Sequence, residues 1–349
     1  MCLLPANSPN GESFHDKERL SHTELSLDRR RLSRHIKPRA SSIFLFLLDI
    51  LVIWLLIHNL EPLITLLRRN DELFRPQVNF FEQEDRTNGS SYIPRILHQT
   101  APTDIIPDKW TASQESCQRS YQDFEYKLWT DESTRAFLSI HYPWFVDVWD
   151  NYPFPIQRAD SLRYFVLYHY GGIYLDMDTW CNNSVPIDKI ESDAVTEYAL
   201  FKSTTPTGIT NDFMITSAKH PIYAAAIAKL PAYNDFSRTW ARWQPYCAIM
   251  ISAGPMFLTM VVKDYLLQQT SLSFRNLGVV NQTELSPYLT DLESGSWHTA
   301  DTNILMWLGT RPWAWFSLGA VGLCICLYLM NRAVMIMLKV SIRKIPRGW

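Results

Sequence analysis

Asp176-Met177-Asp178 closes an apolar run, Ile173-Tyr174-Leu175, and sets two carboxylates two residues apart. Such groups are hard oxygen donors and suit Mg2+ or Mn2+. A magnesium-type site takes one or two protein carboxylates and completes its shell with substrate phosphates and water. A metal held this way stabilises charge on a departing diphosphate, so the implied chemistry is sugar transfer from a nucleotide-sugar. A lone Asp-x-Asp also ends ordinary strands at turns, so its weight comes from its surroundings. The stretch 156–181, IQRADSLRYFVLYHYGGIYLDMDTWC, adds Asp160, Arg163 and Tyr174. Taken by itself, Arg163 reads equally well as a helix-surface ion pair with Asp160.

Particular elements must position these groups. Over Ile156–Tyr170, Asp160, Arg163, Tyr164 and Leu167 fall at i, i+3, i+4 and i+7, which predicts one face of a helix. Gly171-Gly172 then ends that helix as a C-cap would. Ile173–Asp178 reads as a strand with Tyr174, Asp176 and Asp178 on one side, roughly 7 Å between successive same-side residues. On that spacing Asp178 ligates the ion, while Asp176 reaches it through water or turns to a ribose. Upstream, Ile93–Thr100 and Tyr126–Thr130 read as strands and Gln114–Ser120 as helical. Asp131 and Glu132 open a further helix. Alternating strands and helices predict an α/β sheet. There is no G-x-x-x-x-G-K-S/T or G-x-G-x-x-G loop and no internal repeat.

The whole chain narrows the setting. A formal net charge of −2 over 349 residues argues against a nucleic-acid binder. Ile43–Leu60, IFLFLLDILVIWLLIHNL, is near the lower length limit for a membrane-spanning helix. Asp49 inside it is a cost but does not forbid insertion. A signal peptide is the competing reading, but the segment starts late and lacks a small-residue cleavage site. Trp313–Leu338 is the second apolar segment, interrupted by Asn331 and Arg332; a buried core helix competes here. Basic residues flank both segments: Arg29–Arg31, Arg34, Lys37 and Arg39 before the first; Lys339, Arg343, Lys344 and Arg347 after the second. The positive-inside rule then puts both termini in the cytosol and the stretch between the spans in a lumen. Trp307, Trp313 and Trp315 would lie near an interface.

The expected layout is a disordered cytosolic tail (1–41), an anchor (42–60), a stem (61–91), a catalytic domain (92–311), a second span (312–338) and a basic tail (339–349). Asn88, Asn182 and Asn281 open N-x-S/T sequons; a glycan on Asn182 would crowd Asp178, which favours Asn88 and Asn281 as acceptors. Cys117, Cys181 and Cys247 fall in the lumenal stretch, where one pair can oxidise and an odd count leaves at least one free. No C-x-x-C zinc spacing occurs, and Cys324 and Cys326 read as packing residues of the second span.

R-A-D-S-L-R-Y followed by L-Y-H-Y-G-G-I-Y-L-D-M-D resembles the D-x-D sugar transferases of glycosyltransferase family 32 type. Ile93-Pro-Arg-Ile-Leu-His-Gln-Thr100, Asn211-Asp212-Phe213-Met214, Ser252-Ala-Gly-Pro255 and Gly295-Ser-Trp-His298 resemble further family segments in their expected order. The likeness runs from about residue 93 to 301. It implies a GT-A-type α/β domain with a Rossmann-like mixed sheet, flanked here by N- and C-terminal transmembrane helices. It also implies roles: Asp160, Arg163 and Tyr174 on the donor's sugar or ribose, Asp176 and Asp178 on the metal–diphosphate, and His98, Gln99 and Thr100 beside the nucleotide. Asn211 and Asp212 would bind donor hydroxyls or shape a turn. His298 would be a late metal or phosphate ligand, although taken alone it reads as an ordinary histidine, and Trp297 as packing.

Within the family, the double-anchor layout resembles the fungal inositol phosphorylceramide mannosyltransferases. That resemblance implies a Golgi membrane enzyme using GDP-mannose and Mn2+ or Mg2+, retaining configuration, with a ceramide-based lipid acceptor and a separate membrane-bound regulatory subunit. An α-1,6-mannosyltransferase of N-glycan outer chains and a catalytically silent subunit are the alternatives. The run Trp240-Ala-Arg242-Trp243-Gln-Pro-Tyr246 could face the lipid headgroup or pack as a helix on the core.

Overall fold

The computed structural model describes residues 14–75, 78, 80, 92–190, 197–205, 207–268, 276–292, 302, 304, 305, 307 and 311–344, with side chains from residue 41 onward except 312 and 338–344. The chain divides into two compact units, one of residues 62–315 and one combining 1–61 with 316–349.

The 62–315 unit is built on a six-stranded mixed sheet. Its strands are β1 (Ile96–Thr100), β2 (Glu125–Trp129), β3 (Gly172–Leu175), β5 (Ala199–Ser203), β6 (Ile209–Thr216) and β7 (Leu277–Val280). Their spatial order is β2-β1-β3-β6-β5-β7. β1 runs parallel to β2 and β3, and β6 is antiparallel to both β3 and β5. A second, two-stranded sheet pairs β4 (Thr179–Cys181) with β8 (Leu289–Asp291).

Period-2 alternation gives the large sheet two apolar faces, as strands covered on both sides require. Tyr174, Phe201, Met214 and Val279 enter one core with α5 (Pro155–Tyr170), α6 (Pro221–Arg238) and α8 (Pro255–Gln268). Ile173, Leu175, Leu200 and Ile215 enter the other, with Cys117 and Tyr121 beside α2 (Asp108–Ser120). Helices α3 (Asp131–His141), α4 (Val146–Asp150) and α7 (Pro245–Ser252) complete the surroundings of the site, and α9 (Gln282–Leu285) lies before β8. The alternating α/β domain implied by the sequence is present, and its sheet is mixed, as the family resemblance implies.

Among the described residues, three helical stretches are long and apolar enough to cross a membrane: 41–73, 245–268 and 313–337. The middle one is 56% buried and broken by the turn between α7 and α8, so it is core of the 62–315 unit. The outer two bury none of their apolar windows, leaving residues such as Phe46 and Phe316 in the open. The first of them lies in α1 (Phe14–Leu73), the last in α10 (Pro312–Lys344). α1 thus extends through most of the expected tail and into the expected stem. Its N-terminal part is rich in Leu, Glu, Lys and Arg, all good helix formers. In the smaller unit Asn331 Nδ2 donates to Asp49 Oδ2 at 3.0 Å. Asp49 and Asn331, polar interruptions of the two apolar segments, therefore meet each other, as polar groups in apolar surroundings need partners.

Candidate active site

The site forms where the parallel strands β2, β1 and β3 end, the carboxyl edge at which open α/β sheets bind ligands. α5 starts at Pro155 and stops at Gly171, whose φ of 68° lies in the left-handed region. A Cβ there would meet the Ala218 backbone nitrogen at 2.6 Å, so only glycine fits. The chain enters β3 at once, and β3 ends at Leu175. Thr179 N then donates to Asp176 O at 3.1 Å, so Asp176-Met177-Asp178 lies on a turn. The strand expected to continue to Asp178 does not, and the alternation argument for Asp178 lapses. Aspartate favours such turns because its side chain competes for local backbone groups.

Three layers of contacts hold that turn. On α2, Ser113 Oγ donates to Met177 O at 2.7 Å, Ser116 Oγ accepts from Cys181 N at 3.0 Å, and Ser120 Oγ donates to Cys181 O at 3.1 Å. Cys117 and Cys181 form a disulfide across the same contact. From β6, Asp212 O accepts from Asp176 N at 3.0 Å, and beyond β8 Leu292 N donates to Asp178 O at 3.0 Å.

Arg163 is the electrostatic centre. Its guanidinium is buried and contacts Asp160 Oδ1 at 2.9 Å, Asp176 Oδ1 at 3.1 Å and the Asn211 carbonyl at 2.6 Å. It also lies 4.5 Å from the ring centroid of Tyr174. Tyr174 in turn donates its hydroxyl to Asp176 Oδ1 at 2.8 Å, and Asn211 Nδ2 donates to Asp160 Oδ1 at 3.0 Å. The i, i+3 pair on α5 is therefore a buried network and not a surface ion pair. Burial pushes Asp160 up to about 6 against the pull of Arg163 and Asn211. It pushes Asp176 up to about 7 against Arg163, with Asp178 and Asp212 adding to the rise. For Arg163, burial opposes the charge, but Asp176, Tyr174 and Asp160 raise its pKa overall.

A cleft of about 680 Å³ opens over Arg163, Asp176 and Asp178. Its wall continues past Thr100 to Trp129 and Asp131 at the end of β2, to Trp110 and Trp149, and to Tyr246 on α7. Arg158 projects into it from α5, paired with Asp131 at 2.9 Å and lying 5.3 Å from the Trp149 ring centroid. Two buried donors on this wall, Trp110 Nε1 and Arg158 Nε, have no hydrogen-bond partner among the described residues.

Of the residues singled out by sequence, Thr100, Arg163, Asp176 and Asp178 line the cleft. His98 does not. It is buried on β1, its Nε2 bonded to Gly171 O at 2.9 Å while its Nδ1 accepts from Trp129 Nε1 at 3.0 Å. Burial lowers its pKa to about 4, so it is a neutral brace for the Gly171 turn and its expected place beside the nucleotide is corrected. Gln99 is also internal, accepting from the Tyr126 hydroxyl. Asn211 is committed to Asp160, and Asp212 is paired with Lys202 of β5. Neither reaches the cleft wall, contrary to a direct hold on donor hydroxyls. Asn182 is exposed and bonds Thr290, while the Asn281 side chain caps α9. His298 and Asn88 lie outside the described residues.

Sequence reasoning missed Arg158, Trp110, Trp149 and Lys202. Arg158 alone had a local signal, sitting one helical turn before Leu162 on a face that also meets the cleft. The donor set fits a hard divalent cation. Among the described residues no three His, Cys, Asp or Glu side chains cluster into a metal cage, and the two carboxylates leave the remaining positions to substrate phosphates and water.

Residues 107–197 match the model of the glycosyltransferase sugar-binding region containing a DXD motif. The chain is 35% identical over 256 residues to inositol phosphoceramide mannosyltransferase 3 of Schizosaccharomyces pombe, covering 72% of this chain and 68% of that one. It is 34% identical over 240 residues to a mannosyl phosphorylinositol ceramide synthase of Saccharomyces cerevisiae, covering 67% and 60% respectively. The initiation-specific alpha-1,6-mannosyltransferase of the same yeast is 28% identical over 222 residues, covering 56% and 43%. This chain is an enzyme belonging to the DXD-motif glycosyltransferase family that includes the inositol phosphoceramide mannosyltransferases.

Proposed function

We propose that the chain transfers mannose from GDP-mannose to inositol phosphoceramide, with retention of configuration, on the lumenal side of a Golgi membrane. The observation that carries this is the buried Asp160–Arg163–Asp176 network under a cleft that also exposes Asp178, in a chain 35% identical to a relative named for that acceptor. Asp176 and Asp178 would hold Mn2+ or Mg2+, which when bound supplies charge neutralisation at the diphosphate. Arg163 fixes Asp176 in place and brings a positive field to the cleft floor, where charge grows on the leaving group. Asp160 and Asn211 hold Arg163 in that pose. The acceptor hydroxyl attacks the anomeric carbon from the face that the diphosphate leaves. The new C–O bond forms as the bond to phosphate breaks, and the hydroxyl proton passes to the departing diphosphate oxygen.

Both termini lie in the cytosol in this reading, because basic residues flank the outer apolar helices. A separate membrane-bound regulatory subunit belongs to it as well. The decisive assay incubates membranes from expressing cells with labelled GDP-mannose and inositol phosphoceramide, with and without EDTA and Mn2+. Labelled mannosyl lipid that disappears with EDTA is expected. Label found only on N-glycan chains would replace the acceptor with that of the α-1,6-mannosyltransferases. Full complementation of a deletion strain by Asp178→Ala would make the chain a silent subunit.

A further inference from the structure

The C-terminal end of α6 leaves aromatic surface uncovered. After Pro231, Asn234, Ser237 and Ala241 turn inward and are buried, while Phe236, Arg238, Arg242 and Trp243 turn outward. Beyond Arg238 the chain continues in turns, with Trp240 N donating to Ser237 O and Trp243 N to Trp240 O. Phe236, Trp240 and Trp243 thus follow one another across the end of α6 and the turns after it. Phe236 and Trp240 meet edge to face at 5.8 Å. Phe236 is 63% exposed and Trp243 90% exposed. Single exposed apolar residues are common, but a contiguous aromatic edge marks an interaction surface.

Charge indicates what the edge meets. Arg238 and Arg242 are both exposed, and among the described residues neither has an ion-pair partner. Two like charges four residues apart repel, and Asp235 is the one carboxylate between Pro231 and Tyr246. Indole rings beside guanidinium groups are the chemistry of a membrane interface, where the rings enter the headgroup layer and the cations meet phosphates. The chain itself supplies the means of membrane attachment, because two of its helices are long and apolar enough to cross a bilayer and keep their apolar windows uncovered. Two residues past Trp243, Pro245 and Tyr246 already line the catalytic cleft.

We propose that Phe236, Trp240 and Trp243, with Arg238 and Arg242, form a surface that docks on the anionic headgroup layer of a bilayer and so brings the mouth of the cleft to a lipid acceptor. The consequence for acceptor use rests on the proposed lipid acceptor; the docking itself does not.

The test uses the full chain reconstituted in phosphatidylcholine vesicles with and without phosphatidylinositol. Trp243→Cys carries an environment-sensitive fluorophore in a chain whose cysteines other than Cys117 and Cys181 are replaced by Ala. The expected result is blue-shifted emission, quenched by a nitroxide on the lipid headgroup, and more so with phosphatidylinositol present. Emission as in water, unquenched in both compositions, overturns the proposal and assigns the edge to a protein partner instead. Separately, Arg238→Ala with Arg242→Ala should lower transfer to vesicle-borne inositol phosphoceramide about 25-fold, at roughly fivefold per basic residue on an anionic surface. Slow hydrolysis of GDP-mannose, which needs no acceptor, should be unchanged. Equal loss in both reactions overturns the proposal, because it marks damage to the site. Quenching without any mannosyl lipid in the wild type sinks the acceptor reading and leaves docking standing. Mannosyl lipid with no quenching does the reverse.

Discussion

Replacing Arg163 by Met asks whether the site is one buried charge network. Met retains an unbranched chain but removes the cation that faces Asp160 at 2.9 Å, Asp176 at 3.1 Å and the Asn211 carbonyl at 2.6 Å. Deleting one partner of a buried pair costs about 3–5 kcal/mol, because the other charge stays behind. A unit the size of residues 62–315 loses about 2–4 °C of Tm per kcal/mol, so Tm should fall by about 6–20 °C near neutral pH. Proton uptake limits the loss. With Arg163 present, burial already lifts Asp160 to about 6 and Asp176 to about 7 against the pull of that cation. Without it both carboxyls rise further. A carboxyl raised above its unfolded value gives stability that is present below the unfolded pKa and lost as pH rises through the folded one. The deficit of Arg163→Met is therefore smallest near pH 4 and widens through pH 7 and above. Thermal unfolding of the detergent-purified chain and the variant, scanned at pH 5 and pH 8, reads this directly. A shift below about 2 °C at pH 8, or the same deficit at both pH values, would refute the network as the source of the site's stability.

Three further outcomes follow from the same geometry. Asp178→Ala should lower kcat by at least about 100-fold, as losing a charge-stabilising group at the leaving oxygen does, and leave the thermal unfolding profile close to that of the wild type. Asp176, pushed up to about 7 by burial, takes a proton below that pH, so apparent Mn2+ affinity should fall by about tenfold per pH unit below 7 as protons compete with the ion; a titration flat from pH 7.5 to 5.5 would remove Asp176 from the metal site. Cys117→Ser should cost about 2–4 kcal/mol in urea unfolding and raise the donor KM, since the disulfide fastens α2 to the strand that follows Asp178; wild-type stability and KM together would show that the serine contacts on α2 suffice alone.

The parts of the site legible in the sequence were those fixed by local periodicity. Asp160, Arg163, Tyr164 and Leu167 share a helix face because 3.6 residues make a turn, and Gly171-Gly172 ends that helix because the chain needs a positive φ there. Whether Arg163 sat on the surface or in the core was not local information. It was decided by β6 pairing antiparallel to β3, which brings Asn211 over the guanidinium. The Asp176 amide still follows that pairing to Asp212 O, but Thr179 N turns back onto Asp176 O and Ser113 of α2 donates to Met177 O, so the chain leaves the sheet there. His98 and Thr100, two residues apart on one strand, divide for a related reason. Thr100 lies at the strand's carboxyl end and opens to the cleft, whereas His98, one residue pair deeper, is closed over by Trp129 from β2. Sequence motifs group residues by adjacency along the chain; in this fold the boundary between scaffold and site runs across the strands at their carboxyl ends. A position's depth from that edge, more than its membership of a motif, decides whether it can touch a substrate.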